Sequence, residues 1–526
     1  MNYLDLARKV ATRSNMILQS EDLLFPTTYA EFMELDLDLR QRIAFNIPVI
    51  QSDNYEHFMA CLPGKKYAGQ HVLIRKQIGG FTVASGYWKW LEFLTHQITC
   101  EEVELTADFF SGKHNNFSRQ FNKDYWFHVV DDYDGYLPIV VTYPGEGAVF
   151  TGVPFPVAQV YGEKSAVWVN EPMYIQIGHL SYAATVAAQF AEVLGDPWRF
   201  IEVGFRALQN KETGPDLLLA MLVGGGIIST SNDLAAFING APFKSTGTTG
   251  HCFYQQETDF KESLRNLLNS PLGKYATVLL DINSHEHGFQ QLLELRAEGH
   301  KMPFAIRPDS GDVLKQGMSN LTVLQDFGEE MHIVFEDGLK PKGVQDIEKI
   351  RRQYSLNKNR TIYGGGSCFV GTRRDLEAAY KACCFHNGTP GERTDVVETM
   401  KVCLDDSMKQ SIPGMINWFF NPETGFYTIG CSDESPPDNF EERHKVLYDG
   451  LTNPGQPYID PDYDPSNLAQ CSAIQGGKAN SLAIRGLLGP AFCQDLEPNR
   501  TGIAMTQKLR EKRKKLKQVA LDYIKK

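Results

Sequence analysis

One run of residues, AIRPDSGD at 305–312, combines several kinds of reactive group: an apolar stretch ends in Arg307, Asp309, Ser310, Gly311 and Asp312. A guanidinium offers a planar fork of donors to a phosphate, a carboxylate accepts from ribose hydroxyls, and glycine lets backbone N–H groups approach an anion. Taken alone, PDSG is equally an ordinary turn. Its weight comes from similar endings elsewhere. MHIVFEDGLKP ends in Glu336, Asp337 and Gly338, where the two carboxylates suit sugar hydroxyls or a magnesium ion. RTIYGGGS ends in Gly364, Gly365 and Gly366, followed by GTRRDLEAAYKA, which reads as a helix carrying Arg373, Arg374 and Lys381. A glycine-rich turn feeding a helix N-terminus suits a phosphate, because unpaired N–H groups and the helix dipole both favour an anion.

Further upstream, EVGFRALQ carries Phe205 and Arg206, GGGIISTSND carries Ser231, and STGTTGHCF carries His251. Arg206 follows an apolar run as Arg307 does, so two guanidiniums from adjacent strands would converge on one ligand. His251 reads as a nucleophile, a general base or a structural histidine, and Asp281 of LLDINS is a carboxylate able to orient its ring. The sequence has no HExxH, no Walker A motif and no Gly-x-Ser-x-Gly elbow, and His285 with His287 lacks a set of metal ligands.

Such residues need a frame that brings their strand ends together. From 198 to 400 the β-type runs RFIEVGF, APFKSTG, ATVLLDI, MPFAIRP, MHIVFED and RTIYGGG alternate with the helical patterns DFKESLRNLL, EHGFQQLLELRAEG, NLTVLQDFG and KGVQDIEKIRRQY. That alternation predicts a parallel α/β barrel or doubly wound sheet, with chemistry at the carboxyl ends of the strands. Residues 1–45 read as a helical extension. Residues 46–197 read as an α+β region with β-type LPIVVTY and SAVWVNEP and helical GYWKWLEFLTHQI and HLSYAATVAAQFAEVL. The turn-rich 401–526 reads as loops capping the barrel, ending in a basic run, Lys508 to Lys526, expected to be a solvated helix.

A chain of 526 residues with 42% hydrophobic content and no low-complexity segment can bury an enzyme-sized core. A net charge of −12 argues against general affinity for nucleic acid, while a local cluster can still hold a phosphate. Ten scattered cysteines without CxxC pairs suit reduced thiols. Because no apolar stretch approaches the roughly 18 residues of a membrane span and the N-terminus lacks a signal-peptide pattern, a cytoplasmic protein without membrane partners is expected.

In this order, over roughly residues 46–385, the motifs resemble the nicotinate and nicotinamide phosphoribosyltransferases. The resemblance implies an irregular, TIM-like α/β barrel with an N-terminal α+β domain, acting on a pyridine base and phosphoribosyl pyrophosphate. It also implies Mg²⁺, ATP as a co-substrate, and a homodimer with shared active sites. QSDNYEHFMACLPG is similar to the family segment that enters the neighbouring subunit's site, which gives Asp53 and Tyr55 a place there, Tyr55 as the ring stacked on the base. Arg75 in VLIRKQ matches an arginine directed at pyrophosphate or phosphate. Arg206 occupies the Gly-x-Arg position, with Phe205 beside it and Val203 where a phenylalanine is usual. Arg307 and Asp309 inherit phosphate and ribose contacts, Asp337 with Gly338 the ribose site, Gly365 and Gly366 the 5′-phosphate loop, and Arg374 the arginine after it. His251 matches the histidine that ATP phosphorylates, and Asp281 the acid near it. Ser231 stands where nicotinamide-using members carry Asp, and a carboxylate there would repel nicotinate, so serine implies nicotinate. RPDSGD, DNYEHF and RRDLEAAYK resemble nicotinamide-using members instead. The expected function is nicotinate phosphoribosyl transfer; the alternatives are nicotinamide transfer and a catalytically silent ligand-binding relative.

Overall fold

The apolar runs that end in polar residues become parallel strands. The structure, a computed structural model, describes residues 25–111, 121–208, 210–240, 243–245, 248–326, 331–336, 338–388, 395–403, 406, 409–489 and 504–524. Asp337 and most of the expected N-terminal helical extension lie outside the described residues. The chain divides into two compact units, one from Ala183 to Gly371 and the other comprising the residues before and after it.

In the unit from Ala183 to Gly371, seven strands form one sheet: β1 (Phe200–Glu202), β2 (Ser229–Thr230), β3 (Lys244–Ser245), β4 (Thr277–Val278), β5 (Ala305–Ile306), β6 (His332–Phe335) and β7 (Thr361–Gly365). Their order is β3-β2-β1-β7-β6-β5-β4, and every pairing is parallel. The sheet curls: the Thr249 N–H, just beyond β3, donates to the Thr277 carbonyl of β4 at 3.1 Å, linking the two outer strands as in an irregular barrel. Ala305, Val334 and Ile362 pack together with Ile201 inside it.

The intervening helices are where the periodicity puts them. Phe260–Asn269 buries Phe260, Leu264, Leu267 and Leu268, one face of a helix, and Asp259 caps its first turn. His285–Ala297, Val313–Asp326 and Pro341–Gln353 follow β4, β5 and β6. Gly224, in the helix Thr213–Gly225, allows a close helix crossing, since a Cβ there would lie 1.9 Å from the Ala184 carbonyl oxygen.

The other unit is built on a seven-stranded antiparallel sheet ordered 397–398, 379–386, 67–74, 155–163, 139–143, 445–449 and 458–459. A second sheet joins Glu441–Glu442, Ile416–Phe420, Tyr427–Cys431 and Ala504–Met505. Residues from Thr372 onward therefore share a unit with residues up to Tyr182, a division that differs from the expected boundaries at 197 and 400, and residues 401–526 hold strands besides the expected loops and terminal helix. Aromatic and β-branched residues between the turns, as in INWFF and YTIGC, make those strands. SAVWVNEP is not a strand. It forms the helix Lys164–Trp168 and the start of Glu171–Leu194, because it leads directly into that long apolar helix. The expected helix over GTRRDLEAAYKA is one turn, Arg373–Leu376, opened by a Thr372/Asp375 capping box and closed by Glu377 at φ 47°. Lys381 then lies on the strand Ala379–His386, paired with Tyr67–Ile74.

One buried charge network braces the barrel end opposite the strand tips. Glu348 accepts from Tyr363 Oη at 2.6 Å and from the Arg351 Nε and Nη2 groups at 3.1 and 3.0 Å, and pairs with Arg199 Nη2 at 2.5 Å. The Arg199 Nε–H donates to the Thr361 carbonyl at 3.0 Å. Burial opposes ionisation of Glu348, yet its bonds with Arg351, Arg199 and Tyr363 hold the carboxyl below the ordinary glutamate range. Glu348→Ala is expected to lower stability by about 3–5 kcal/mol, because it strands a buried guanidinium. A depressed carboxyl stabilises above its unfolded-state pKa and loses that contribution as pH falls through the folded value, so the gap in urea unfolding should be full at neutral pH and shrink in acid.

Candidate active site

Polar groups collect at the carboxyl ends of the parallel strands. Just past β4 stands Asp281, past β5 Arg307 and Asp309, past β6 Glu336, past β1 Phe205 and Arg206, past β2 Ser231, and after β3 the one-turn helix His251–Tyr254.

Arg307 is the centre of this group. It is 8% exposed, with Nη1 at 2.8 Å from Glu336 Oε2 and Nε at 3.3 Å from Asp309 Oδ1. His251 Nε2 lies 3.0 Å from Asp281 Oδ1 and 3.8 Å from Asp309 Oδ2. A continuous chain of ionisable groups thus links the loop after β3 to the ends of β4, β5 and β6: Asp281, His251, Asp309, Arg307, Glu336. Burial pushes the Glu336 carboxyl up and Asp309 adds to the rise, while Arg307 and Arg206 oppose it. Burial also opposes ionisation of Asp281, but bonds with Ser310 and His251 prevail and hold its carboxyl below the usual range.

The loop bearing His251 is fixed from beneath. Tyr254 Oη lies 2.6 Å from Thr249 Oγ1 and accepts from the Leu279 N–H at 3.2 Å, while Thr249 Oγ1 donates to the Thr277 carbonyl at 2.7 Å. Across the sheet, Glu202 ties β1 to β2: its carboxylate accepts from Thr230 Oγ1 at 2.5 Å and from the Gly204 N–H, and its carbonyl accepts from the Ser231 N–H at 2.7 Å. Ser231 is exposed beyond this brace, and so are Phe205 and Arg206.

The glycine run ending β7 has a packing reason at each position. A Cβ on Gly364 would lie 2.8 Å from Glu336 Cγ, one on Gly365 2.6 Å from Phe200 Cζ, and one on Gly366 2.7 Å from Gly204 Cα. The ends of β1 and β7 therefore touch backbone to backbone. Gly338 has φ 58°, a left-handed conformation that favours glycine.

Of the expected site residues in this unit, the structure joins His251, Asp281, Arg307 and Asp309 directly. Asp337 lies outside the described residues. Arg206 and Arg307 are not on adjacent strands, since β7 and β6 separate β1 from β5, yet both act on Glu336. Tyr254 gave no signal beyond lying one turn from His251. Glu202 was visible only as the acid closing RFIE.

The remaining expected residues belong to the other unit. Asp53 is exposed at the start of the helix Asn54–Cys61. Tyr55 is 40% exposed, and its hydroxyl is tied to Glu171 and to the Tyr380 hydroxyl, which in turn donates to Glu56. Burial pushes the Glu56 carboxyl up to about 7. Arg75 donates from Nε to the Glu377 carbonyl at 3.2 Å, and Arg374 is exposed on the capped turn. Lys381 is pushed down to about 8 by burial and by the charges of Arg75, Lys401 and Arg373. Four cations thus share one neighbourhood, an arrangement suited to a polyanion. Lys401 was not foreseen, because it is distant in sequence from the other three.

No family model matches the sequence, and no curated protein matches it. Among solved structures, human nicotinic acid phosphoribosyltransferase aligns with a TM-score of 0.60 at 16% identity, covering 89% of this chain and 100% of that one. Nicotinate-nucleotide pyrophosphorylase from Pyrococcus furiosus aligns with a TM-score of 0.59 at 14% identity, covering 86% and 97%. The chain has the fold of these pyridine phosphoribosyltransferase-type structures, an irregular α/β barrel accompanied by an α+β unit.

Gly366→Ala is expected to separate the ends of β1 and β7, because the new methyl meets backbone rather than a movable side chain. The thermal unfolding midpoint should fall by an amount equivalent to about 1–3 kcal/mol, whereas alanine at the open, right-handed Gly476 should be nearly neutral.

Proposed function

We propose that this chain is an enzyme transferring the phosphoribosyl group of phosphoribosyl pyrophosphate to a pyridine base, with nicotinate preferred, as a step of NAD synthesis. The observation that carries this reading is the chain Asp281, His251, Asp309, Arg307 and Glu336 at the ends of four strands, β3 to β6, of a phosphoribosyltransferase-type fold. The pyridine nitrogen attacks C1 of the ribose as the bond to pyrophosphate breaks, so the protein positions the base and steadies the departing anion.

Asp309 and Glu336 serve the ribose hydroxyls, with Asp337 and Gly338 joining them on the family resemblance. Arg307, Arg206, and the backbone at Gly365 and Gly366 take the 5′-phosphate. In the other unit, Arg75 and Arg374 stand where the resembled family carries arginines directed at pyrophosphate and phosphate. Phe205, exposed beside Val203, supplies one aromatic face for the base. Asp53 and Tyr55 serve the site of a second subunit, which makes the active species a homodimer. Phe58, one turn from Tyr55 on the same helix, is exposed as well, which supports a covered surface there.

Two functions are assigned to the Asp281–His251 pair. With Nε2–H donated to Asp281, the His251 Nδ1 lone pair is available to accept a phosphoryl group from ATP. His251, Asp281 and Asp309 also bring one ligand atom each within 4.8 Å. The two carboxylates fit Mg²⁺, a hard ion that keeps waters and substrate oxygens, while the imidazole, already bonded to Asp281, does not. Held by Asp281 and Asp309, Mg²⁺ would neutralise charge on the pyrophosphate.

Purified protein incubated with phosphoribosyl pyrophosphate, Mg²⁺ and labelled nicotinate or nicotinamide, with and without ATP, tests the reading. Nicotinate mononucleotide should form preferentially and more completely with ATP. Ser231→Asp should reduce nicotinate kcat/KM by roughly 30-fold or more, the effect of about 2 kcal/mol from opposed carboxylates, and favour nicotinamide. A wild type that prefers nicotinamide would reverse the assignment of Ser231, and no product from either base would leave ligand binding without catalysis.

A further inference from the structure

The basic run near the end of the sequence is only half used by the fold. The helix Gln507–Ile524 begins on the four-stranded sheet: Leu509 is fully buried, Lys508 Nζ pairs with Asp433 at 2.8 Å, Lys512 Nζ with Glu398 at 2.6 Å, and the Thr506 N–H donates to the Ile429 carbonyl at 3.0 Å. Leu516, Val519, Ala520, Tyr523 and Ile524 continue the face that Leu509 starts, recurring at seven, ten, eleven, fourteen and fifteen residues beyond it. Past Arg513 that face opens to solvent: Leu516 and Ala520 are half-buried, while Val519, Tyr523 and Ile524 are 59%, 81% and 63% exposed. Lys514, Lys515 and Lys517 border it, and none forms an ion pair among the described residues.

We propose that the segment Lys514–Ile524 lies on anionic phospholipid surfaces. Eleven helical residues extend about 16 Å, enough to rest along an interface. No described helix is long and apolar enough to cross a membrane, so the contact is peripheral. Charge complementarity selects the anionic surface. From Gln507 to Lys526 the sequence has nine Lys or Arg against two acidic residues, in a chain of net charge −12, so attraction to anionic headgroups resides in this helix. Nucleic acid would satisfy the lysines and leave the apolar stripe in water, whereas a lipid interface takes both, with Tyr523 at headgroup depth. Pairing of two such helices would bring their lysines together.

Flotation of the full chain with vesicles of phosphatidylcholine, alone or mixed with phosphatidylserine, tests this. About tenfold or more enrichment on the anionic vesicles is expected, weakening steeply with salt. K514E/K515E and, separately, V519S/Y523S/I524S should each abolish the enrichment, while the urea midpoint stays close to that of the wild type because these side chains are exposed. Equal flotation with both vesicle types, flotation unaffected by either variant, or binding to duplex DNA without binding to vesicles would overturn the proposal.

Discussion

A guanidinium buried between two carboxylates sets the terms for the strand-end site. Arg307 cannot be left unpaired at 8% exposure, and Asp309 and Glu336 hold it from its own strand and the next. That requirement fixes the spacing of β5 and β6 at their tips. Through Asp309 it also reaches His251 and Asp281, so the orientation of the imidazole depends on the same charge balance. A phosphate arriving here meets an already oriented set of groups and shares the guanidinium with the two carboxylates, without a large reorganisation.

The rest of the barrel serves to hold those tips. The Glu348 network locks Arg199 and the start of β7 from below, Glu202 joins β1 to β2, and the bonds of Tyr254 and Thr249 bring the loop after β3 onto β4. Glycines at 364, 365 and 366 let the strand ends approach until backbone meets backbone. In the other unit a different logic applies. Tyr55 is anchored through its hydroxyl, leaving its ring partly exposed, and burial together with the nearby charges of Arg75, Lys401 and Arg373 depresses Lys381.

Much of this was legible from residue order. Each apolar run followed by Arg, Asp, Glu or Gly became a parallel strand with those residues at its carboxyl end, because burial on both faces demands continuous apolar sequence and solvent begins where it stops. The pairing of His251 with Asp281 was likewise visible, as acids and histidines at neighbouring strand ends have few other partners. Other features were hidden. SAVWVNEP carries β-type residues yet is helical, because the long helix that follows decides its conformation. The helical spacing of RRDLEAAYK is cut at Glu377 by a left-handed turn that no glycine announced. The joining of residues after Thr372 to the first unit depends on pairings some 300 residues apart, such as Gly69 with Cys384, which local patterns cannot report.

The central claim is that the strand-end charges bind a phosphoribosyl ligand, and direct calorimetric titration tests it without requiring turnover. Phosphoribosyl pyrophosphate with Mg²⁺ should bind the wild type at one site per chain. Arg307→Ala should weaken that affinity by roughly 2 to 5 kcal/mol, since it leaves a buried phosphate poorly paired. Affinity within a few fold of the wild type in a correctly folded Arg307→Ala protein would place the phosphate elsewhere and contradict the account.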